Sequence, residues 1–399
     1  MRSSLAALVI LAAACGEASP PPSPDAGAST DAEVDAGRLD GGPLDADVPV
    51  PDAGEVAGTV IRVKYPTGAR AVSVRGSKPP LSWDVGLRME KESDDTWRLS
   101  LPTLAGEFEF KPLLDDATWS RGPNYRARQG ETVQIEPRFV LDAGMWSVRW
   151  PTFRSTLLGN TRAVYVYLPP TYLENTSARL PVVYMHDGQN LFDPAASFAG
   201  VTWGVPATMD AAAVSGRFRE AIVVGVNNMG ADRIAEYTPT RDPEYGGGRG
   251  DLYLRMLVEE LKPQVDAELR TLPGREDTVL AGSSLGGLIS SYAGVRHASV
   301  FGIIGAFSPS TWWDGRVLLS LVAETGELRP LRVYVDSGDG GQSRDGVTDT
   351  RALAAAYRAL GYRDGVDLLY VVEPGATHTE SAWARRLPGA LEFLLGPGR

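Results

Sequence analysis

The sequence predicts an α/β protein with a mostly parallel sheet, preceded by a small β-sandwich of the immunoglobulin-like kind. Three observations carry this. Beyond residue 150 short apolar runs alternate with longer helical patterns, the rhythm of strands buried on both faces and joined by helices. Between 56 and 138 the apolar residues instead recur at every second position, as in strands with one face in a core and one in water. Finally, the composition changes abruptly near residue 55, where a Pro, Asp, Ala and Gly-rich segment gives way to these patterned regions.

The chain has 399 residues, 43% of them hydrophobic, enough for a sizeable core and two domains. Its first fourteen residues, MRSSLAALVILAAA, have the basic start and short apolar run of a secretory signal and are too short to span a bilayer as a mature helix. Cys15 follows directly and is the only cysteine, which rules out an intramolecular disulfide or a cysteine-rich metal site. The leader resembles a bacterial lipoprotein signal, which implies lipidation at Cys15, export, and a membrane partner reached through the lipid anchor. From 15 to 55 the segment carries three DAG repeats, at Asp25, Asp35 and Asp52, and too few apolar groups to offset the entropy of ordering. It is expected to be a solvated tether. Ten acidic residues between 16 and 55 stand against Arg38 alone, so most of the formal charge of −11 belongs to the tether. That balance excludes nucleic acid as a partner.

In the sandwich, expected over 56–140, Ile61, Val63 and Tyr65 alternate with Arg62 and Lys64, and Trp97, Leu99 and Leu101 alternate with Arg98 and Ser100. The turns TGAR, GSKPP and RGPN separate such runs. In the second domain, expected over 150–399, the strands read AVYVYL, LPVVYMH, AIVVGV, TVLAGS, FGIIGAF, LRVYVD and DLLYVV. The clearest helix is 252–269, with Leu254, Leu257, Leu261 and Val265 on one face. Ligands of such sheets bind at the carboxyl ends of the strands.

One of those ends carries Gly282-Ser283-Ser284-Leu285-Gly286, which fits G-x-S-x-G centred on Ser284; centring on Ser283 places Ala281 and Leu285 at the glycine positions. A serine on a sharp strand-to-helix turn needs neighbours without side chains, so Ser284 is the expected nucleophile. Its hydroxyl needs a base, and only His186, His297 and His378 exist. In hydrolases of this architecture the histidine follows the serine and an acid in sequence. His297 lies on the helix leaving the elbow and points away; His378, in the loop after the last strand, is the expected base. Asp336, Asp339, Asp345 and Asp349 compete as the acid. Asp336 ends a strand and Asp349 suits a helix start, which leaves Asp345 ahead of Asp339. The oxyanion requires two amides, expected from Leu285 and from Gln189 in the loop after VVYMH.

Two further stretches have plain readings. YGGGRGD lacks the Gly-Lys-Ser/Thr ending and the preceding strand of a phosphate loop and reads as a flexible loop near the site. Arg233 and Glu236, one turn apart, read as a structural ion pair. No cluster has metal-ligand spacing, and neither metal nor cofactor is expected.

With VVYMHDGQNLFD, IVVGVNNMGADRIAEYTP, GDLYLRMLVEELKPQVDAELRTLP, AGSSLGGL and GATHTESAW in view, residues 152–395 resemble the esterase branch of the α/β-hydrolases that includes enterochelin, feruloyl and acetylxylan esterases and S-formylglutathione hydrolase. The resemblance implies Ser284 as nucleophile, His378 as base and the loop Asp187 to Gln189 at the oxyanion hole. It also shows a departure: many relatives place the acid three residues after the glycine ending the strand, which after Gly338 is Gly341 here. Residues 60–138 resemble the starch-binding type of carbohydrate-binding module, which implies Trp83 and Trp119 as a stacking platform, with Lys111 and Asn124 holding sugar hydroxyls and an α-glucan as partner. Ser120 stands where that family usually has Glu. The expected function is thus a serine esterase working through an acyl-enzyme on a small-molecule or glycan ester. A non-catalytic glycan-binding surface lipoprotein and an acyltransferase on the same fold are the alternatives.

Overall fold

The computed structural model describes residues 58–102, 106–327 and 329–398. The leader, Cys15 and the tether lie outside the described residues.

Residues 58–139 form two sheets over one core. One pairs Thr59–Lys64 with Thr96–Leu101 and Thr132–Ile135, and the other is built on Val72–Gly76 and Glu107–Leu114. The alternation read from sequence is the burial pattern: Ile61, Val63, Val72, Val74, Phe108 and Phe110 fill the space between the sheets, while Arg62, Lys64 and Glu109 turn outward.

The larger sheet has eight strands: β1 (Met145–Ser155), β2 (Asn160–Leu168), β3 (Val182–His186), β4 (Ile222–Val226), β5 (Thr278–Ser283), β6 (Ile303–Phe307), β7 (Arg332–Gly338) and β8 (Leu368–Glu373). Their order is β1-β2-β4-β3-β5-β6-β7-β8. The hairpin of β1 and β2 is antiparallel, β2 runs antiparallel to β4, and all later pairs are parallel. Strands β3, β4, β5 and β6 are buried at every position, which is why they read as continuous apolar runs. Alternate residues serve opposite faces. Tyr184, Val224, Leu280 and Ile304 meet Leu254, Leu257, Leu288 and Leu318, whereas Val183, Val223, Val279 and Ile303 meet Met209 and the C-terminal helix through Leu387 and Leu391.

Three sequence expectations change. First, β1 begins at Met145, so the second domain starts earlier than residue 150. Second, the helix expected over 252–269 is interrupted by a π-helical stretch, Met256–Leu261, between Gly250–Arg255 and Lys262–Glu268. Leu254, Leu257, Leu261 and Val265 are all fully buried as expected. Pro263 has no N–H and its ring crowds the carbonyl four residues back, which a wider turn relieves. Third, Arg233 and Glu236 do not pair with each other. Glu236 accepts from Arg162 at 2.8 Å, with both side chains fully buried, while Arg233 reaches Asp187. Burial makes the pairing essential, because one partner alone leaves an uncompensated charge in the core.

The sandwich is fastened to the larger domain by directional polar contacts. Glu174 accepts the amides of Val140 at 2.9 Å and Leu141 at 2.8 Å and the Tyr65 hydroxyl at 3.0 Å. Asn175 donates to the carbonyls of Lys64 at 2.9 Å and Pro137 at 3.0 Å. Buried Arg138 pairs with Glu220 and donates to the Ala213 carbonyl at 2.8 Å. The Asn175 and Arg138 contacts satisfy groups that burial in the seam removes from water.

Candidate active site

Strand β5 ends at Ser283, and the helix Leu285–Arg296 begins two residues later. Ser284 makes the turn between them at φ 58°, ψ −121°, a conformation that costs a non-glycine residue of order 1–3 kcal/mol and persists only where its surroundings enforce it. The flanking glycines supply the room. A Cβ at Gly282 lies 2.8 Å from the His186 ring and one at Gly286 lies 3.2 Å from the His186 Cβ, so the elbow is packed directly on His186. Ser284 N donates to the Phe307 carbonyl at 3.0 Å, and Ser310 N donates to the Ser284 carbonyl at 2.9 Å. The Ser284 hydroxyl lies 3.3 Å from that of Ser310.

His378 stands in the loop between β8 and the C-terminal helix Glu380–Leu395, with its side chain 41% exposed. Its Nδ1 is 2.6 Å from Asp345 Oδ1. Asp345 is buried, at φ 51° in the loop after β7. Burial pushes its carboxyl up, but hydrogen bonds from His378, the Ser308 hydroxyl and the Gly338 amide outweigh that and hold it below its usual range. The other three aspartates have separate partners. Asp339 accepts the Gly375 amide at 2.6 Å and so braces the loop carrying His378; Asp336 pairs with Arg386 inside the core; Asp349 pairs with Arg316. The structure therefore brings Asp345 to His378, seven residues beyond Gly338, which accounts for the empty Gly341 position.

The remaining histidines are elsewhere. His297 ends the elbow helix. His186 is fully buried beneath the elbow, its Nδ1 2.8 Å from the Tyr253 hydroxyl, and burial pushes its pKa down to about 3, so it is neutral at ordinary pH.

Gln189 lies two residues past Asp187, which takes the left-handed φ of 56°. Gly188 is required here: a Cβ would sit 2.5 Å from the Gly225 backbone. Asp187 is clamped by Arg233, which donates at 2.8 Å to each carboxylate oxygen, and by Asn228 at 2.6 Å. Burial raises the Asp187 carboxyl, and Arg233 more than reverses this. The sequence did not mark this clamp, because Arg233 lies 46 positions from its partner. Among the described residues, no acceptor pairs with the amide of Gln189 or Leu285. Trp312, two residues past Ser310, and Tyr245 were also not foreseen. Both are 45% exposed, and their rings meet edge-on at 5.7 Å. Within YGGGRGD, Gly246–Gly247 pair with Arg241–Asp242 as a short hairpin, with Gly247 against Trp313, and Gly250 and Asp251 begin the next helix.

In the sandwich, Trp83 and Trp119 are 37% and 39% exposed, with ring centroids 6.2 Å apart. The Arg75 guanidinium lies 5.3 Å over the Trp119 ring. Lys111 donates to the Gly122 carbonyl at 2.6 Å and Asn124 donates to Glu109 at 3.1 Å, so both expected sugar-binding polar groups already have partners. Ser120 is buried.

A family profile described as "Putative esterase" matches residues 155–394. The chain is 36% identical over 160 residues to the iron(III) salmochelin esterase of Escherichia coli O6:H1, a stretch covering 39% of this chain and 34% of that one. It is 27% identical over 259 residues to an uncharacterized protein, YbbA, of Bacillus subtilis, covering 60% of this chain and 95% of the relative. Among solved structures, the enterobactin esterase of Shigella flexneri shares the fold at a TM-score of 0.51 and 17% identity, covering 84% of this chain and 92% of that one. The chain belongs to this esterase family and is a carboxylic ester hydrolase.

Proposed function

We propose that the chain hydrolyses its ester through Ser284, His378 and Asp345. The observation that carries this reading is the 2.6 Å pairing of His378 Nδ1 with the buried, ionised Asp345. Asp345 keeps the proton on Nδ1, leaving Nε2 as the base. Nε2 takes the Ser284 proton as the oxygen attacks the ester carbonyl, and the carbonyl oxygen becomes an oxyanion held by the free amides of Leu285 and Gln189. Collapse of this intermediate breaks the ester bond. The imidazolium returns its proton to the leaving alcohol, and water repeats the sequence on the acyl-enzyme to release the carboxylic acid. Ser284 Oγ meets Ser310 at 3.3 Å and, among the described residues, no hydrogen bond joins it to His378, which suits a resting state, since catalytic hydrogen bonds tighten when substrate arrives.

The substrate class we propose is a small-molecule ester bearing a flat ring. Trp312, two residues past Ser310, and Tyr245, whose ring meets it edge-on, offer exposed aromatic surface near the elbow, and flat apolar faces stack on such rings. Relatives named for salmochelin, enterobactin and feruloyl esters agree with this class. The test is a panel of p-nitrophenyl, feruloyl and catecholate esters, combined with a fluorophosphonate probe and peptide mapping. Turnover of ring-bearing esters with labelling at Ser284 is expected; label on Ser283, or none, overturns the assignment.

A glycan ester is the second reading, favoured by the exposed Trp83 and Trp119 pair. If the pair grips α-glucan, the intact protein should be retarded in gels containing amylose or glycogen. Trp83→Ala with Trp119→Ala should abolish that retardation while leaving the circular dichroism spectrum unchanged, because both rings lie at the surface. Equal migration with and without glucan removes this reading.

A further inference from the structure

Behind the Asp345 carboxylate the structure holds a chain of polar groups that the reaction as written does not use. Ser308, the first residue after β6, takes a left-handed φ of 38°. Its hydroxyl oxygen accepts from Trp383 Nε1 at 3.0 Å and from Arg386 Nη2 at 2.9 Å. A hydroxyl has one proton and two acceptor lone pairs. With both lone pairs filled, the proton is left for Asp345 Oδ2, 2.6 Å away. Gly338 N donates to the same oxygen at 2.5 Å, so Oδ2 is fully engaged and Oδ1 faces His378.

Trp383 and Arg386 lie one turn apart on the helix that starts two residues after His378. Trp383 also meets the imidazole edge-on, with centroids 4.9 Å apart and planes at 87°. Arg386 is fixed in turn by Asp336 at 2.8 Å and Glu373 at 3.0 Å. Asp336 further accepts the Tyr334 hydroxyl at 2.7 Å and the Ser308 amide at 3.0 Å.

We propose that Ser308, Trp383 and Arg386 are positioning residues for ester hydrolysis: two donors on the helix following His378 fix the direction of the Ser308 hydroxyl, which fixes which Asp345 oxygen meets the imidazole. The proposal rests on the Ser284, His378 and Asp345 reading above. Its effect is twofold. The carboxylate cannot turn about its own axis, so the imidazole is held at one angle. Part of its charge is also engaged by Ser308 and Gly338, which limits how strongly it stabilises the imidazolium. The charged groups around this line are Asp345 and Glu380 toward His378, Arg386 at 3.9 Å from Asp345, and Asp336 and Glu373 around Arg386, with Arg385 on the far side of Glu373.

The test compares wild type with Ser308→Ala and Trp383→Phe in the full chain, using the best ester from the panel. Removing the hydroxyl also frees Asp345 charge for the imidazolium that forms during turnover. Without the hydroxyl the carboxylate can turn, so Ser308→Ala should lower kcat by about 10- to 100-fold with little change in KM, while the freed charge should move the acid limb of kcat/KM to higher pH. Trp383→Phe keeps a ring against His378 but vacates one lone pair, and should move the same limb by less. A wild-type kcat and acid limb in Ser308→Ala overturns the proposal, as does a loss of kcat with the limb unmoved. Should Ser308→Ala not fold, Trp383→Phe decides alone, and an unmoved limb there overturns it. Arg386 is left intact, because its removal strands Asp336 as a buried charge. Full turnover in Ser284→Ala marks failure of the underlying triad instead, a result separate from any of these.

Discussion

Replacing Ser284 by alanine is expected to lower turnover by on the order of 10⁴- to 10⁶-fold, and His378→Ala by a similar factor. The two should not add: once either is gone the other has no task, so the double variant should be no slower than the worse single one. Ser283→Ala should keep most of its activity, since Ser283 is a buried strand residue that loses only a hydroxyl. The elbow itself should survive these changes, because its geometry is set by the backbone bonds to Phe307 and Ser310 and by the glycines against His186. Steady-state kinetics on purified variants with matched circular dichroism spectra measure this. A Ser284→Ala protein within tenfold of wild type contradicts the mechanism.

Asp345→Asn should cost turnover about 10⁴-fold, and the structure gives the reason. Ser308 and Gly338 both donate to Oδ2, so an asparagine places its carbonyl oxygen there and its NH₂ group at the Oδ1 position. That NH₂ then faces His378 Nδ1 and demands an acceptor. The proton moves to Nε2, and the imidazole can no longer take one from Ser284. Asp339→Asn keeps an acceptor for the Gly375 amide and should lose far less. Parallel kinetics of the two variants check the order; equal losses, or the reverse, transfer the role to Asp339.

What could be read from sequence divides along one physical line. Features set by neighbouring residues were legible. The spacing of Gly282 and Gly286 separated Ser284 from Ser283 because a sharp turn tolerates no side chains beside it. The alternation of Ile61, Val63 and Tyr65 identified a strand with one wet face. Elimination among four aspartates preferred Asp345 through local strand and helix ends. Features set by folding distant segments together were not legible. Arg233 and Glu236 look like mutual partners at helical spacing, yet each finds its partner in a distant segment, Asp187 in the loop after β3 and Arg162 in β2. Ser308 and Arg386 are 78 positions apart, and nothing local announces either. The π-helical stretch was hidden because the leucine spacing is that of an ordinary α-helix.

The seam between the sandwich and the larger domain has a consequence of its own. Glu174 and Asn175 bind backbone on the opposite side directly, as Arg138 does at the Ala213 carbonyl beside its pairing with Glu220, and directional bonds of that kind resist bending at the joint. A glycan held at Trp83 and Trp119, on the second reading proposed above, would therefore meet the larger domain in a restricted set of orientations. If that reading holds, cleavage on a polymer carrying many identical esters should recur at a set number of units from the gripped end, and the spacing of the surviving esters would record that number.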